Sequence, residues 1–184
     1  TRTSQFGSSP LSSTLAGFSA LANKEMEAAR SYFDTAIKSD PSQSLAYLGN
    51  ALLDAQSRDY PTAQGNLSRA IQLDPSVAVY RSYLGKLFFE DENSPKAIEE
   101  FDAAITLDPN DPTPYLYRSY AKIAENDPVA GLTDVERSIK LNDGRAVYRS
   151  SLLLDRDVAV RSAGLARAFS ELGFTEAARI EAIK

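Results

Sequence analysis

Cysteine and histidine are both absent from this chain of 184 residues, and their absence excludes several kinds of chemistry. Without cysteine there is no disulfide, no thiol nucleophile and no soft thiolate ligand for a metal. Without histidine no imidazole can carry protons near neutral pH. A cysteine-free chain suits an oxidising compartment such as the periplasm, but cytosolic chains also lack cysteine, so the localisation stays open.

Positive charge is also scarce, with 20 Lys and Arg residues against 25 Asp and Glu residues, for a net charge of −5. This balance argues against a nucleic-acid partner, because neutralised phosphates supply much of the affinity in such complexes. It also argues against binding to an anionic membrane surface. No apolar run approaches the roughly 20 residues of a membrane-spanning helix, so we expect no membrane insertion.

A period of 34 residues runs through most of the chain. The pair Asp-Pro recurs at residues 40, 74 and 108, and Asn142-Asp143 follows at the next equivalent position. Four columns keep the same step: Ala29, Ala63, Ala97 and Gly131; Phe33, Leu67, Phe101 and Val135; Ala36, Ala70, Ala104 and Ser138; Ile37, Ile71, Ile105 and Ile139. Internal repeats of this length indicate a stack of similar structural units.

The spacing inside one unit predicts a helical hairpin. Ala97, Phe101, Ala104 and Ile105 follow the i, i+4, i+7, i+8 pattern of one face of an α-helix. The Asp-Pro that follows ends this helix, because proline cannot continue it and disfavours helical geometry just before itself. An earlier helix over about residues 78–90 completes an αα-hairpin.

At these residues the chain resembles the tetratricopeptide repeat family, whose pattern is W-x₂-L-G-x₂-Y, then A-x₃-F, then P. The third unit matches it with Leu84, Gly85, Phe88, Ala97, Phe101 and Pro109, and departs from it with Arg81 at the Trp position. In the second unit we take Leu48-Gly49 as the Leu-Gly pair, shifted two residues early and followed by a longer turn. The resemblance implies an all-α fold, an αα-hairpin solenoid that forms a right-handed superhelix.

This interpretation divides the chain into a flexible leader, four repeats and a tail. The leader is residues 1–10, and the repeats cover residues 11–41, 42–75, 76–109 and 110–143. Residues 144–184 are predicted to form a degenerate fifth repeat with an insertion at 150–157 and a terminal helical hairpin. We expect the natural protein to extend beyond one or both ends of this sequence.

The resemblance also implies where a partner binds, because the first helix of each unit lines the inner wall that usually holds the ligand in this family. Aromatic side chains on that wall are good anchors, since they bury a large area with few rotatable bonds. Each aromatic residue could equally pack between hairpins. The candidate partner-binding residues are Asn50, Asp54, Ser82, Lys86, Phe89, Tyr117 and Tyr120.

The predicted function is a protein-interaction scaffold that binds a peptide or partner segment in its groove, with self-association left open. The alternative is a structural or assembly spacer within a larger protein, such as a periplasmic, exporter-associated one. We do not expect an enzyme, a cofactor or a metal site. A phosphate-binding loop and a dinucleotide motif are both missing, and Asp40, Asp74 and Asp108 are better explained as turn residues than as cation ligands.

Overall fold

The computed structural model describes residues 9–142 together with residues 169, 170, 173 and 178. Residues 9–142 form eight α-helices and no strand, which confirms the predicted all-α class for this part of the chain. The helices are α1 (Pro10–Ala22), α2 (Met26–Ser39), α3 (Ser44–Gln56), α4 (Tyr60–Leu73), α5 (Ala78–Glu90), α6 (Ser94–Leu107), α7 (Pro112–Ala124) and α8 (Pro128–Asn142). Pro10 therefore begins α1 and does not belong to the predicted leader.

The predicted fifth repeat lies almost wholly outside the described residues, and the 150–157 insertion lies entirely outside them. Phe169, Ser170 and Ala178 are helical. Gly173 lies in a turn and has a φ of +80°, a left-handed conformation that suits glycine.

The chain divides into two compact units, Thr1–Ser76 and Val77–Lys184. In the first unit α1 packs on α2, α3 packs on α4, and α2 contacts α3. The second unit repeats the scheme with α5 on α6, α7 on α8, and α6 against α7. The described part of each unit is thus two stacked helical hairpins, as the αα-hairpin solenoid class predicts. No described helix is both long enough and apolar enough to cross a membrane.

The helix bounds keep the 34-residue period without interruption. The first helices of the second and third hairpins start at Ser44 and Ala78, and each has 13 residues. The second helices of the same hairpins start at Tyr60 and Ser94, and each has 14 residues. The two-residue shift and the longer turn predicted for the second repeat are therefore wrong, and Ala51, not Gly49, is the counterpart of Gly85.

The turn inside each hairpin holds one residue in the left-handed region. Lys24, Arg58, Glu92 and Asn126 have φ values of 64°, 60°, 57° and 64°. In the third hairpin the turn is closed by the amide of Asn93, which donates to the carbonyl oxygen of Phe88 at 2.8 Å. Because this conformation is costly for residues with a side chain, the stacked helices must hold each turn in place.

The predicted small and large columns form the core. Ala29, Ala63, Ala97, Phe33, Phe101, Ala36, Ala70 and Ala104 are all 0% exposed. The Phe rings fill space that glycine leaves on the partner helix: a Cβ atom at Gly17 would lie 2.5 Å from the Phe33 ring, and one at Gly85 would lie 2.8 Å from the Phe101 ring. The other two hairpins have Ala51 with Leu67 and Ser119 with Val135 at the same two positions. Where alanine or serine replaces the glycine, leucine or valine replaces the phenylalanine.

Candidate functional site

Two of the predicted groove residues, Asn50 and Asp54, lie in a buried polar cluster between α2, α3 and α4. They are 6% and 5% exposed. Asp54 forms an ion pair with Arg30 and accepts a hydrogen bond from Asn66 Nδ2 at 2.8 Å. Asn50 Nδ2 donates to Asp34 Oδ1 at 2.9 Å. These two side chains face neighbouring helices and not the inner wall, because the second repeat lacks the two-residue shift that the sequence analysis assigns to it.

In the uninterrupted period Leu52 takes the position that was expected for Asn50, and Gln56 takes the position that was expected for Asp54. Leu45, Leu48 and Leu52 occupy the positions of Val79, Ser82 and Lys86 in the next repeat. The exposed fractions are 50% for Leu11, 59% for Leu15 and 38% for Leu45, and Leu52 is half-buried. We call these four residues, on α1 and α3, the leucine face.

The other predicted residues meet on α5 and α7, and we call Lys86, Phe89, Tyr117 and Tyr120 the aromatic face. The Phe89 and Tyr120 rings are half-buried and stack with centroids 6.5 Å apart and an interplanar angle of 28°. Tyr117 meets Tyr120 edge to face at 6.0 Å. The two helices thus bring together residues that are 28 to 34 positions apart in the sequence.

Tyr117 belongs more to the core than to the surface. It is 7% exposed, and its ring stacks on Phe101 with centroids 6.2 Å apart and an interplanar angle of 17°. Ala97 and Ala121 complete the same apolar cluster. Tyr117 therefore supports the half-exposed rings from beneath.

Lys86 is anchored across the two helices. Its Nζ donates a hydrogen bond to the Tyr117 hydroxyl at 2.9 Å and lies 4.6 Å from the centre of that ring. The second contact is a cation–π interaction, and both contacts hold the ammonium beside Tyr117. Ser82 lies one helical turn earlier, is 7% exposed, and its hydroxyl has no hydrogen-bond partner among the described residues.

The sequence did not predict an ion network that ties α7 to α6 and α8. Arg118 bonds Asp134 through Nε at 2.8 Å and through Nη2 at 2.6 Å, and it also bonds Asp102. Lys122 Nζ lies 2.8 Å from the same Asp134. Burial alone would lower the pKa of Arg118, but the hydrogen bonds that it donates to Asp134 and Asp102 raise this pKa above its usual value.

The position of this network in the repeat explains it. Arg118 and Lys122 stand 34 residues after Leu84 and Phe88, which are apolar residues of the family pattern. The fourth repeat thus replaces an apolar contact between helices by paired charges. Asn50 and Asp54 fill the same two positions in the second repeat.

The recurring Asp residues serve the turns between hairpins. Asp40 Oδ1 accepts hydrogen bonds from the Ser42 amide at 2.9 Å and the Ser42 hydroxyl at 2.6 Å. These two bonds lower the pKa of Asp40. Asp74 and Ser76 repeat the contact. Across the part of the chain that the structure describes, no group of acidic residues is arranged to hold a metal ion.

The comparisons with known proteins agree with this architecture. The sequence profile of the tetratricopeptide repeat family matches residues 48–112. No curated protein matches the chain significantly. A chain in the crystal structure of the APC/C hetero-tetramer Cut9-Hcn1 superposes with a TM-score of 0.82 at 17% identity, over 96% of this chain and 33% of that one. This sequence therefore spans about a third of that protein's chain.

Two shorter proteins are similar as well. PilF of Pseudomonas aeruginosa matches with a TM-score of 0.78 at 17% identity, over 94% of this chain and 72% of its own. YrrB, described as a TPR protein with an unusual peptide-binding site, matches with a TM-score of 0.68 at 15% identity, over 96% and 84%. Identities this low establish the fold alone.

The fold and the repeat pattern together define an all-α helical-hairpin repeat protein of the scaffold type. Residues 48–112 match the profile of the tetratricopeptide repeat family, and the described helices have the same fold as the similar solved structures.

Proposed function

We propose that this chain is a binding module that holds a segment of a partner protein against the aromatic face of α5 and α7. The observation that carries the proposal is the stacked, half-exposed pair of Phe89 and Tyr120 beside the anchored Lys86. Aromatic rings already held by packing lose little freedom when a ligand covers them, so more of the contact energy remains as affinity.

The polar groups at this face favour an extended segment. An extended backbone exposes its amides and carbonyls, and these need partners when they are buried. Ser82 has a buried hydroxyl without a partner among the described residues, and the Lys86 ammonium lies one turn further along α5. The segment is therefore expected to present an apolar or aromatic side chain to the rings and an acidic group near Lys86. The peptide-binding site named for the similar protein YrrB is consistent with such a role.

The test uses a display library of random peptides of about 12 residues, long enough to span the two helices in an extended form. Peptides selected on the wild-type chain are measured by fluorescence anisotropy against a Phe89→Ala, Tyr120→Ala variant. Tyr32→Ala is the matched control, because Tyr32 is also an aromatic residue, is 44% exposed and lies on α2 of the other unit.

We expect the double variant to bind the selected peptides at least about tenfold more weakly, and the Tyr32 variant to bind them unchanged. Lys86→Glu should remove the preference for acidic peptides while retaining the aromatic anchor. Equal binding by the wild-type chain and the double variant would refute the aromatic face as the site. A selection that yields no binder above background would favour the structural spacer instead.

A further inference from the structure

The contacts within the two compact units repeat after 68 residues, which is two repeats. In the first and third hairpins a glycine, Gly17 or Gly85, leaves room for a phenylalanine ring. In the second and fourth hairpins a tyrosine hydroxyl, that of Tyr47 or Tyr115, donates to a proline carbonyl oxygen at 3.3 or 3.2 Å. The described part of each unit therefore combines a first hairpin and a second hairpin of the same two kinds.

In the first unit the joint between the two hairpins contains an ion pair. Arg30 on α2 pairs with Asp54 on α3, and the second carboxylate oxygen of Asp54 accepts a hydrogen bond from Asn66 on α4 at 2.8 Å. The Asp54 side chain is only 7% exposed, so these two partners must replace the water that the carboxylate loses. Asp34 and Asn50 add a second polar contact across the same joint.

The second unit reverses the charge at the corresponding position. Lys122, which is 68 residues after Asp54, pairs with Asp134 of its own hairpin at 2.8 Å. The counterpart of Arg30 on α6 is Ile98, which packs against the apolar cluster of α6 and α7. The first hairpin of this unit thus presents an apolar side chain at the position where Arg30 presents a cation.

From this difference we infer that each second hairpin carries residues that match it to its own first hairpin and exclude the other one. The first matching set is Arg30, Asp54 and Asn66. The second matching set is Ile98, Lys122 and Asp134. Similar repeats that exchange neighbours misassemble, which is a characteristic failure of repeat proteins during folding. The inference concerns the specificity of folding, and it does not depend on the proposed function.

A wrong combination of hairpins places like charges or an unpaired charge in the joint. If the second hairpin of the second unit stacked on α2, Lys122 would take the place of Asp54 and lie against Arg30. If the second hairpin of the first unit stacked on α6, Asp54 would lie against Ile98 and would keep only the amide of Asn66. Like charges in contact repel, and a buried carboxylate that loses its cation still bears the cost of its desolvation. The matching sets therefore oppose both exchanges, within one chain or between two copies of it.

Each mismatch can be introduced into the correctly stacked chain by one substitution. Ile98→Arg gives Lys122 the neighbour that it would meet on α2, and Arg30→Ile gives Asp54 the neighbour that it would meet on α6. We expect each variant to raise the equilibrium constant for unfolding at least about tenfold, because it creates a repulsion or leaves a buried charge without its cation. Urea unfolding followed by circular dichroism measures the change. Ile98→Gln and Arg30→Lys are the matched controls, since the first adds a polar side chain without a cation and the second retains the cation, and both should have smaller effects.

A reversal of sign distinguishes matching from simple packing. In a chain with Lys122→Asp and Asp134→Asn, the second hairpin of the second unit has the residues of the first matching set. Ile98→Arg should lower the equilibrium constant for unfolding of that chain instead of raising it. If Ile98→Arg were equally harmful in this chain and in the wild-type chain, only packing would be involved and the inference would be overturned.

The first unit provides an independent measurement, which also serves if the variants of the second unit do not fold. In a chain with Asp54→Lys and Asn66→Asp, Arg30→Ile should lower the equilibrium constant for unfolding, because it removes a cation that repels the new lysine. An effect of Arg30→Ile as harmful as in the wild-type chain would contradict the inference in the same way.

Refolding tests the consequence for assembly. A chain that carries the first matching set in both units should refold from urea to a smaller fraction of monomer than the wild-type chain, because either second hairpin then fits either first hairpin. A chain in which the two sets are exchanged between the units is the control, since its hairpins still differ, and it should refold like the wild-type chain. Sedimentation velocity measures the monomer fraction at equal protein concentration. Equal monomer fractions in all three chains would overturn the inference.

Discussion

Adding a single methyl group at Gly85 tests how closely the hairpins are packed. In a Gly85→Ala variant the new Cβ would lie 2.8 Å from two carbons of the Phe101 ring and 3.1 Å from the Ala97 carbonyl oxygen. Overpacking of this kind costs about 1–3 kcal/mol. Replacing a helical glycine by alanine stabilises the helix itself by about 1 kcal/mol. The net expectation is a loss of about 0–2 kcal/mol in the free energy of unfolding.

Gly65→Ala provides the matched control. Gly65 is exposed and also lies inside a helix, α4, where an added Cβ would meet nothing within 4 Å. This variant should gain about 0.5–1 kcal/mol, because only the helix propensity changes. The difference between the two variants, about 1–3 kcal/mol, isolates the steric effect from the backbone effect.

The second hairpin suggests a compensating change, since it carries Ala51 and Leu67 at the positions of Gly85 and Phe101. Phe101→Leu alone should be destabilising because it leaves a cavity. Combined with Gly85→Ala, it should cost less than the two single losses added together. We expect a favourable coupling of about 1–2 kcal/mol, within the range measured for residues in contact.

The assay is urea unfolding of the wild-type chain and the four variants, followed by circular dichroism at 222 nm, with the slope of the unfolding free energy against urea concentration checked for constancy. The reasoning would be refuted if Gly85→Ala were stabilised as much as Gly65→Ala. It would also fail if the effects of Gly85→Ala and Phe101→Leu were simply additive.

Three further predictions concern other parts of the repeat. Arg118→Ala should lower the free energy of unfolding by about 3 kcal/mol, because it removes a guanidinium that is paired within a largely buried network. Asp102→Ala should lower it by only about 0–1 kcal/mol, since the Asp102 side chain is 55% exposed. Urea unfolding of the two variants measures this difference. Glu92→Gly should raise stability by about 0.5–1 kcal/mol in thermal unfolding, because glycine tolerates the φ of 57° without strain. Ser42→Ala should raise the pKa of Asp40 towards its ordinary value, as read from carboxyl chemical shifts. Because the pKa of Asp40 is lowered in the folded chain, the ionised carboxylate stabilises the fold at any pH above the unfolded-state pKa. This stabilisation is lost as the pH falls through the folded-state pKa. The Ser42→Ala variant should therefore lose less stability on acidification than the wild-type chain.

The repeated helices and most of the aromatic face could be predicted from the sequence. The 34-residue period determines which residues share a position, and in the third and fourth repeats Lys86, Phe89 and Tyr120 come together on adjacent helices as expected. The ion network could be predicted only in part. The sequence puts Arg118 in an apolar column, but it does not indicate which carboxylates come within reach.

The leucine face was missed because Leu48-Gly49 imitates the Leu-Gly pair of the family pattern. In the folded chain Gly49 has a different task, because a Cβ there would lie 2.3 Å from the Phe33 ring of the preceding hairpin. A glycine alone therefore does not identify its position in the repeat. Two different contacts require glycine: one with the second helix of the same hairpin, as at Gly85, and one with the preceding hairpin, as at Gly49.

The correct register follows from considering the small residue together with the large one that packs on it. Within each hairpin these two positions are 16 residues apart, as in Gly17 with Phe33 and Gly85 with Phe101. If Gly49 were the small residue, its partner would be Gly65, and the space between the helices would stay empty. Ala51 pairs with Leu67, which is 1% exposed and fills it. Because each hairpin must fill the space between its helices to a similar density, the pair of Ala51 and Leu67 determines the register of the second repeat. That register in turn leaves Leu45 exposed and buries Asp54.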